Sequence, residues 1–297
     1  MRYDLTSLEL FVAVAEEANL TRAARRQHLA VSAISKRMAE LEEQAGTALL
    51  ARHARGVSLT PAGQALLHYS RQVLQTLQQM GDELAEYAGG VKGHIRVHAI
   101  ASALIQFLPE ELDAFLRRYP QIKIDIEEHV GAAIVTAVAE GSADAGIIAE
   151  RTPAPGLRIF PYREDRLALV VPAGHKLARR RAVALRDLAE YEFVGPHNAS
   201  SLHALLADAA AQAGMPLKQR VRVSSFDGMC RMIETNLGIG ILPAEVVRRY
   251  ASSMNIRMVR LTDDWARRRM VICVRDFEAL PFAARALVDL LRAQALG

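Results

Sequence analysis

The chain has 297 residues and a formal net charge of +4; 51% of the residues are hydrophobic and 24% are charged. This length allows a sizeable core in two or three domains, and the composition is that of an ordinary globular protein. No apolar run reaches the length of a membrane-spanning helix. The first residues also lack the basic and apolar regions of a signal peptide, so we expect a cytoplasmic protein without a membrane partner.

Basic residues are concentrated near the N terminus. Residues 20–60 contain seven Lys or Arg against three Glu, although residues 1–90 as a whole carry nine basic and ten acidic side chains. A local basic patch in a nearly neutral region is typical of a surface that binds a polyanion. A solvated helix face would give the same count, so charge alone leaves both interpretations open.

The first 46 residues predict three helices. Apolar side chains recur at helical spacing over Leu5–Glu17, and a second helix is expected over Arg22–His28 with Thr21 as its N-cap. A third helix, over about Ser32–Gln44, is expected to end at Gly46. Two short helices joined by a turn of a few residues have the size of a helix-turn-helix.

The third predicted helix has two distinct faces. At about 100° per residue, its core face consists of Ile34, Met38, Leu41 and Ala45. The outward N-terminal half presents Ser32 and Lys36, with Ser35 on the flank, and these groups suit base edges and phosphates. The glutamates lie in the C-terminal half. This asymmetry favours a DNA-reading helix over a solvated face.

A hairpin and a long helix follow. Arg55-Gly56 is typical of the tip of a basic hairpin, or wing, and Thr60-Pro61 of the cap and first residue of the next helix. That helix should extend to about Tyr87. Its apolar seam alternates spacings of four and three residues, at Leu66, Ser70, Val73, Leu77, Met80, Leu84 and Tyr87. Such a heptad seam favours pairing with the same helix of a second chain, and Gly89-Gly90 marks a linker.

From His94 the pattern alternates between strands and helices. The order β-α-β-α-β up to about residue 149, with one helix over 104–119, predicts a parallel sheet covered on both faces. A second set starts with a strand at 167–175, and a strand at 269–275 and a helix at 281–295 close the chain. We expect two α/β lobes with a cleft between them.

The α/β part carries no recognisable catalytic or metal-binding motif. Nucleophile-elbow, phosphate-loop, dinucleotide-binding and zinc-protease patterns are absent, and Asp144 and Asp227 are isolated carboxylates. Cys230 and Cys273 are expected to be buried structural thiols, with a disulfide or redox pair as the alternative. No Cys/His cluster has metal-ligand spacing. We therefore expect neither an enzyme, nor a cofactor, nor a metal site.

Three predicted helices begin directly after strands. Small ligands bind at the carboxyl ends of strands in open α/β sheets, and helix N-termini favour anions. The alternative is that the Ser and Asn residues at the starts of these helices only cap the helices. We predict a site for a small, anionic effector at these positions: Ser102, Ala103, Gly131, His197, Asn198, Ser200, Ser201, Phe226 and Asp227.

Three segments carry a resemblance to a known family: SLELFVAVAEEANLTRAARR at 7–26, AISKRMAELEEQAGTALLAR at 33–52 and RGVSLTPAGQALL at 55–67. The chain resembles a LysR-type transcriptional regulator over essentially its whole length. The family usually has Ser/Thr-Gln-Pro/Ser where this chain has Ala30-Val31-Ser32. The usual cap is therefore lost, with Ser32 as a candidate replacement. Val31 can touch a thymine methyl but cannot make a bidentate contact with adenine.

The resemblance implies a winged helix-turn-helix at 1–60, a dimerising linker helix at 61–90 and an effector-binding domain at 91–297. That domain would be periplasmic-binding-protein-like (type 2), with lobe I at 91–162 and 268–297 and lobe II at 163–267. Double-stranded DNA, a second copy of the chain in a homodimer or tetramer, and RNA polymerase are the implied partners. The implied DNA contacts are Arg22, Val31, Ser32, Ser35, Lys36, Arg37, Arg52, Arg55 and Thr60. The rival interpretation is a solute-binding or catalytic α/β protein with an added dimerisation module.

Overall fold

The structure is a computed structural model that describes residues 3–53, 56–87 and 93–293. Residues up to about 90 form one compact unit, and nearly all later residues form a second. Three sequence-based predictions lie outside the described residues: Arg55 in the wing, the Gly89-Gly90 linker, and the Tyr87 side chain in the heptad seam. Among the described residues, no helix is both long and apolar enough to cross a membrane.

The first unit is three helices, a two-stranded hairpin and one long helix. In chain order these are α1 (Leu5–Glu17), α2 (Leu20–Arg26), α3 (Val31–Ala45), β1 (Leu50–His53), β2 (Gly56–Leu59) and α4 (Pro61–Tyr87). The buried side chains of α1, α2 and α3 form one core, which contains Phe11, Val14, Ala23, Ile34, Met38 and Leu41. The core face predicted for the third helix is confirmed, with Ala45 only partly buried at its end.

Helix capping corrects two predictions in this unit. Helix α2 begins at Leu20, because Asn19 rather than Thr21 is its N-cap: the Asn19 Oδ1 accepts hydrogen bonds from the amides of Thr21 (2.9 Å) and Arg22 (3.0 Å). Helix α3 begins at Val31 after Ala30, with no side-chain cap. Ser32 therefore lies inside the helix and does not replace the cap. Gly46 ends α3 in the left-handed conformation, as expected.

The hairpin is held against the helices by hydrogen bonds to its two strands and by a close backbone approach at Gly63. The Glu42 carboxylate on α3 accepts hydrogen bonds from the amides of Leu49 (2.9 Å) and Leu50 (3.0 Å), where β1 begins. On the other strand, the amide of Val57 donates to the carbonyl of Ala18 at 3.0 Å. A Cβ at Gly63 would lie 2.1 Å from the carbonyl oxygen of Leu49, so only glycine fits there. These contacts position the wing against the helices.

Helix α4 presents an apolar stripe to solvent. Part of the predicted seam is covered within the unit, since Ser70 is buried and Leu66 packs on the core. Its exposed members include Val73 (42% exposed), Met80 (53%) and Leu84 (60%), and Tyr69 (64%), which was not predicted to belong to the seam, lies beside them. An exposed apolar stripe of this kind marks an interaction surface.

The second unit contains one large sheet, a smaller sheet and the helices that cover them. The strands are β3 (Gly93–Ala99), β4 (Ile122–Glu128), β5 (Ala145–Ala149), β6 (Arg158–Pro172), β7 (Ala182–Val183), β8 (Phe193–Pro196), β9 (Gln219–Val223), β10 (Gly240–Pro243), β11 (Ile256–Leu261) and β12 (Arg267–Val274). The helices are α5 (Ala101–Gln106), α6 (Leu108–Arg118), α7 (Gly131–Glu140), α8 (Ser201–Gln212), α9 (Phe226–Glu234), α10 (Ala244–Ala251) and α11 (Phe282–Ala293).

The large sheet is mixed rather than parallel. Its order is β4-β3-β5-β12-β6-β11-β7, with β10 also paired to β6. The pairs β3–β4 and β3–β5 are parallel, as the alternating pattern predicted. Strand β12, however, runs antiparallel to both β5 and β6, because the chain comes back to this sheet from the other lobe. The single helix predicted over 104–119 is also interrupted, at Phe107, and Pro109 lies in the first turn of α6.

One long strand is shared by two separate cores. Strand β6 spans 15 residues: its first part pairs with β12, and its second part, from Leu167, pairs with β10 and β11. The segment predicted to open a second set of elements is therefore the continuation of a strand that begins at Arg158. The first core covers β3–β5, α6, α7 and α11, and we call this part lobe I. The other two cores lie among β7–β11 and α8–α10, which we call lobe II.

Gly63→Ala should destabilise the first unit. The added methyl cannot avoid the Leu49 carbonyl, so the free energy of unfolding should fall by about 1–3 kcal/mol, the usual cost of overpacking. Gly81→Ala is the matched control on the same helix, since a Cβ there meets nothing within 4 Å. It should raise the stability by about 0.5–1 kcal/mol. Urea unfolding of the two variants, followed by circular dichroism, measures both; equal effects would contradict the packing described here.

Candidate DNA-binding surface and ligand cleft

The N-terminal half of α3 is the exposed part of the helix-turn-helix. Ile34 and Met38 point into the core, while Val31 (41% exposed), Ser32 and Lys36 are on the surface and Ser35 is half-buried at the flank. The Lys36 ammonium is 3.9 Å from the Glu40 carboxylate, one turn further along, and its side chain is 80% exposed. An exposed pair at this spacing is weak, so the ammonium remains available to another anion.

Two residues predicted to contact DNA are already engaged inside the unit. The Arg37 guanidinium donates to both oxygens of Asp4, at 3.2 and 3.3 Å, and to the Ser7 hydroxyl at 3.1 Å. Thr60 is the cap of α4: its hydroxyl accepts from the Gly63 amide at 3.0 Å and donates to the Ala48 carbonyl at 2.7 Å. Both side chains position α1, α3 and α4. The hydrogen bond from Ser7 also holds the pKa of Asp4 below its usual value.

The remaining basic side chains differ in how far they are neutralised. Arg22 is paired with Glu17, and Arg26 with Glu16 at 2.9 Å, although all these side chains are partly exposed. Arg25 on α2 and Arg52 on β1 are exposed, and no ion pair is formed by either within the described part of the chain. Among the described residues of this unit, the cations available to another anion therefore include Arg25 on α2, the weakly paired Lys36 on α3 and Arg52 on the hairpin.

A cavity of about 280 Å³ lies where strands of both lobes end. Strand β3 leads into α5, β8 leads through residues 197–200 into α8, and β9 leads into α9, as the sequence predicted. Of the predicted effector residues, the following line it: Ser102, His197, Ser200, Ser201 and Phe226. Sequence reasoning missed Glu128, His129 and Arg268, which come from β4, the loop after it, and β12.

A second cavity, of about 410 Å³, adjoins the first. The two share Ser200, Ser201 and Arg268, while Gly131 and Asn198 line only the larger one. Ala103 is fully buried in the lobe I core and lines neither cavity. Asp227 also lines neither: it is exposed in the first turn of α9, and a hydrogen bond from Ser225 lowers the pKa of its carboxyl. Neighbouring residues of the same two helices do line the smaller cavity: Ala101 and Ser102 on α5, and Phe226 and Met229 on α9.

Two serines at the wall of the smaller cavity differ in their internal partners. Ser102 is 3% exposed, and the one hydrogen-bond contact of its hydroxyl among the described residues is with the thioether sulfur of Met270, at 4.0 Å. A thioether is a weak acceptor, so this hydroxyl can donate to a ligand at little cost. Ser200 caps α8 through a hydrogen bond from the Leu202 amide at 3.2 Å, which fits the capping alternative for that residue.

A buried ion pair lies between the two strands that connect the lobes. Asp165 on β6 and Arg268 on β12 are cross-strand partners, and their side chains are 0% and 7% exposed. The Arg268 Nε donates to the Asp165 Oδ1 at 2.8 Å, and the Gln106 amide donates to the other carboxylate oxygen at 3.1 Å. The same amide nitrogen donates to the Ser102 carbonyl at 2.9 Å. These contacts link the cavity wall to the crossing between the lobes, which is the place where β6 and β12 run side by side from one lobe to the other.

The two cysteines are buried free thiols, which confirms the structural interpretation and excludes a disulfide between them. Burial raises the pKa of the Cys230 thiol to about 11 and that of Cys273 to about 12. Both are therefore protonated at neutral pH, and protonated buried thiols are unreactive.

The fold and these two surfaces define a protein with a DNA-binding unit and a separate ligand-binding unit. A family model described as "Bacterial regulatory helix-turn-helix protein, lysR family" matches residues 5–64, and one described as "LysR substrate binding domain" matches residues 88–296. Together they cover most of the chain. The protein belongs to the LysR family of DNA-binding transcriptional regulators, and it is not an enzyme.

Individual relatives agree with the family over nearly the full length. The transcriptional regulator CysL of Bacillus subtilis is 26% identical over 270 residues, which is 91% of this chain and 90% of that protein. Full-length CbnR in complex with its target DNA has a TM-score of 0.70 at 23% identity, covering 98% of this chain and all of the other. The effector-binding domain of QuiR with shikimate has a TM-score of 0.61 at 19% identity, covering 68% of this chain and 97% of that domain.

Asp165→Asn should destabilise the second unit strongly. It leaves the Arg268 charge buried without its partner, and breaking a buried pair in this way typically costs about 3–5 kcal/mol. The neighbouring pair of Arg267 and Glu164, 2.8 Å apart and mostly exposed, provides the control. Glu164→Gln should change the free energy of unfolding by less than about 1 kcal/mol. Chemical denaturation of both variants makes the comparison, and a small loss for Asp165→Asn would show that the buried pair contributes little.

Proposed function

We propose that the N-terminal half of α3 enters the major groove and reads base edges through Val31, Ser32, Ser35 and Lys36. The single observation that supports this most directly is that this half is exposed and polar, while the glutamates lie further along the helix. Arg22, Arg25 and Arg52 are placed to contact phosphates on either side. Arg37 and Thr60 act by positioning the helices, because their polar groups are already engaged.

The exposed stripe of α4 is proposed as the surface of a homodimer. Tyr69, Val73, Met80 and Leu84 expose large apolar side chains at helical spacing, and a second copy of the same helix would cover them. Two DNA-binding units would then contact two half-sites on one face of a duplex.

A tetramer formed through the effector-binding units, a cytoplasmic location and contact with RNA polymerase belong to the same proposal. So does the division of the chain into 1–60, 61–90 and 91–297.

The smaller cavity is proposed as the effector site, and its chemistry favours a small anion. Residues at the starts of α5, α8 and α9 line this cavity, among them Ser102 and Ser201, and amides at a helix start together with hydroxyl groups suit an anion. Arg268, whose charge is paired with Asp165, lies in the wall and can present N–H donors, and Phe226 adds an apolar surface. QuiR provides a precedent, because its effector-binding domain binds shikimate, which is a small carboxylic acid.

Effector binding would act on the relative position of the lobes. A ligand shifts such an equilibrium only through a difference in its affinity for the two arrangements. Contacts that span both lobes provide this difference, since Ser102 belongs to lobe I and Ser201 to lobe II. Through Gln106 the Ser102 backbone is also connected to the Asp165–Arg268 pair at the crossing.

Lys36→Ala should weaken binding to the specific site by about 5- to 150-fold, which corresponds to about 1–3 kcal/mol for a base contact. The specific duplex is obtained by repeated selection of random DNA with the full-length protein, and affinity is measured by fluorescence anisotropy at several salt concentrations. Arg117→Ala is the matched control, because Arg117 forms an exposed pair at the same spacing with Asp113, far from α3 in sequence.

The control should leave DNA affinity unchanged. If Lys36→Ala weakens binding to specific and random duplexes equally, the side chain contacts phosphate and does not read a base. Unchanged affinity for both duplexes would contradict the proposed docking of α3. A steep fall of affinity with salt is expected for phosphate neutralisation and would not be shown by a solute-binding protein.

A small acid that binds the cavity should raise the melting temperature of the full-length protein in proportion to the logarithm of its concentration. The screen consists of small carboxylic acids, amino acids and aromatic acids. Ser102→Ala should abolish the shift for a ligand in the smaller cavity, and Asn198→Ala should leave it intact, because Asn198 lines only the larger cavity. The reverse pattern would move the site to the larger cavity. If neither variant changes the shift, the ligand binds elsewhere and the proposed site is wrong.

A further inference from the structure

Two histidines and a glutamate meet at the end of the edge strand of lobe I. His98 lies on β3, Glu127 on β4 and His129 directly after β4, and one ligand atom from each lies within 4.8 Å of the other two. The His129 Nε2 is 2.8 Å from the Glu127 Oε2, and the His98 Nε2 is 3.8 Å from the same oxygen. The two imidazole rings are 4.8 Å apart between centroids.

Strand pairing brings these residues together. Strands β3 and β4 are parallel, and His98 and Glu127 are direct cross-strand partners. Val97 and Ala99 point into the lobe I core, so alternation along β3 places His98 on the opposite face, with Glu127 beside it. The His129 amide donates to the Ala99 carbonyl at 3.2 Å, which continues the pairing and keeps the third side chain within reach.

We propose that His98, Glu127 and His129 form a binding site for a divalent transition-metal ion, with Zn²⁺ as the favoured ion. Imidazole nitrogen and carboxylate oxygen are the donor set that Zn²⁺ takes in sites with an open position. At zinc–ligand distances of about 2.0–2.2 Å, ligand atoms around one tetrahedral ion are about 3.3 Å apart. The observed separations lie on both sides of this value, so small side-chain rotations suffice.

A hydrogen bond between Glu127 and His129 accounts for only part of the cluster. The His98 Nε2 is too far from Glu127 for a hydrogen bond, and its Nδ1 is buried without a partner among the described residues. A metal ion would give the Nε2 of this half-buried ring a direct partner.

Nearby positive charge does not oppose a cation at this position. Arg96, which precedes His98 by two residues on the same face, forms a two-point ion pair with Asp144, at 2.9 and 3.4 Å. Its charge is therefore compensated. Glu127 and His129 are exposed enough for an ion to reach them from solvent, with 62% and 40% of their side chains accessible.

The proposed ion lies beside the ligand cleft. His129 belongs both to the cluster and to the lining of the 280 Å³ cavity. Three protein ligands leave at least one coordination position for water or an anion. An ion held there would fix the chain between β4 and α7, which forms one wall of that cavity. The site is independent of the proposed effector, since it needs neither DNA nor a small acid.

The test is calorimetric titration of the untagged full-length protein with ZnCl₂, together with the visible absorption spectrum of the Co²⁺-loaded protein. We expect one saturable ion per chain. Glu127→Gln and His129→Ala change exposed side chains and should weaken Zn²⁺ binding at least tenfold with the melting temperature of the metal-free protein unchanged. His98→Ala should do the same, and the exposed variants decide the outcome if this half-buried substitution prevents folding.

His94→Ala is the matched control. The His94 Nε2 lies 2.8 Å from the Asp125 Oδ2 on the same two strands, but the part of the chain that the structure describes places no third ligand beside this pair. The variant should bind Zn²⁺ like the unsubstituted protein. Absence of saturable binding by the folded protein would overturn the proposal. So would Zn²⁺ affinity that survives both Glu127→Gln and His129→Ala, or that falls equally with His94→Ala, because these outcomes indicate surface adsorption.

Discussion

The buried ion pair of Asp165 and Arg268 constrains the second unit at the point where its two lobes are joined. Two charges have been removed from water at the point where β6 and β12 pass between the lobes. Their desolvation is offset only if the geometry holds, so the two strands must keep their register. Gln106 extends the pair to the start of α5. The lobes are therefore joined by strands whose relative position is fixed at one place.

The cleft follows from that arrangement. Because β6 belongs to both lobes, the carboxyl ends of β3, β8 and β9 and the helices after them come to face each other near the crossing. A ligand between them can contact both lobes at once, which is the condition for a ligand to select one arrangement. The hydroxyl of Ser102 lies at the cavity wall with only a weak thioether partner among the described residues, and the Ser102 carbonyl accepts a hydrogen bond from Gln106, which also contacts the ion pair.

In the first unit, the surface available for DNA consists of polar groups that are not needed to hold one element against another. Glu42, Arg37 and Thr60 are polar residues of the helix-turn-helix and wing, and each is used to hold one element against another. Among the described residues, what remains exposed and at most weakly paired is the beginning of α3 together with Arg25 on α2 and Arg52 on β1. The exposed stripe of α4 adds a second surface, apolar and therefore suited to a copy of the same helix rather than to DNA.

Local patterns in the sequence determined the helices of the first unit, the length of α4, the alternation of strands and helices, and the family. Those features depend on neighbours within a few residues, as the periodicity of Ile34, Met38 and Leu41 illustrates. The N-cap of α2 could not be assigned from the sequence, because Asn19 and Thr21 are both good caps. Only the backbone conformation selects Asn19.

Contacts between segments that are far apart in the sequence were decided by the tertiary structure alone. The continuous strand β6, the antiparallel return of β12 and the Asp165–Arg268 pair join residues about a hundred positions apart. The same is true of His98, which meets Glu127 and His129 only because β3 and β4 pair in one register. No sequence window contains all three residues at metal-ligand spacing. Side chains that meet across a sheet are set by strand order and register, and a local pattern carries neither.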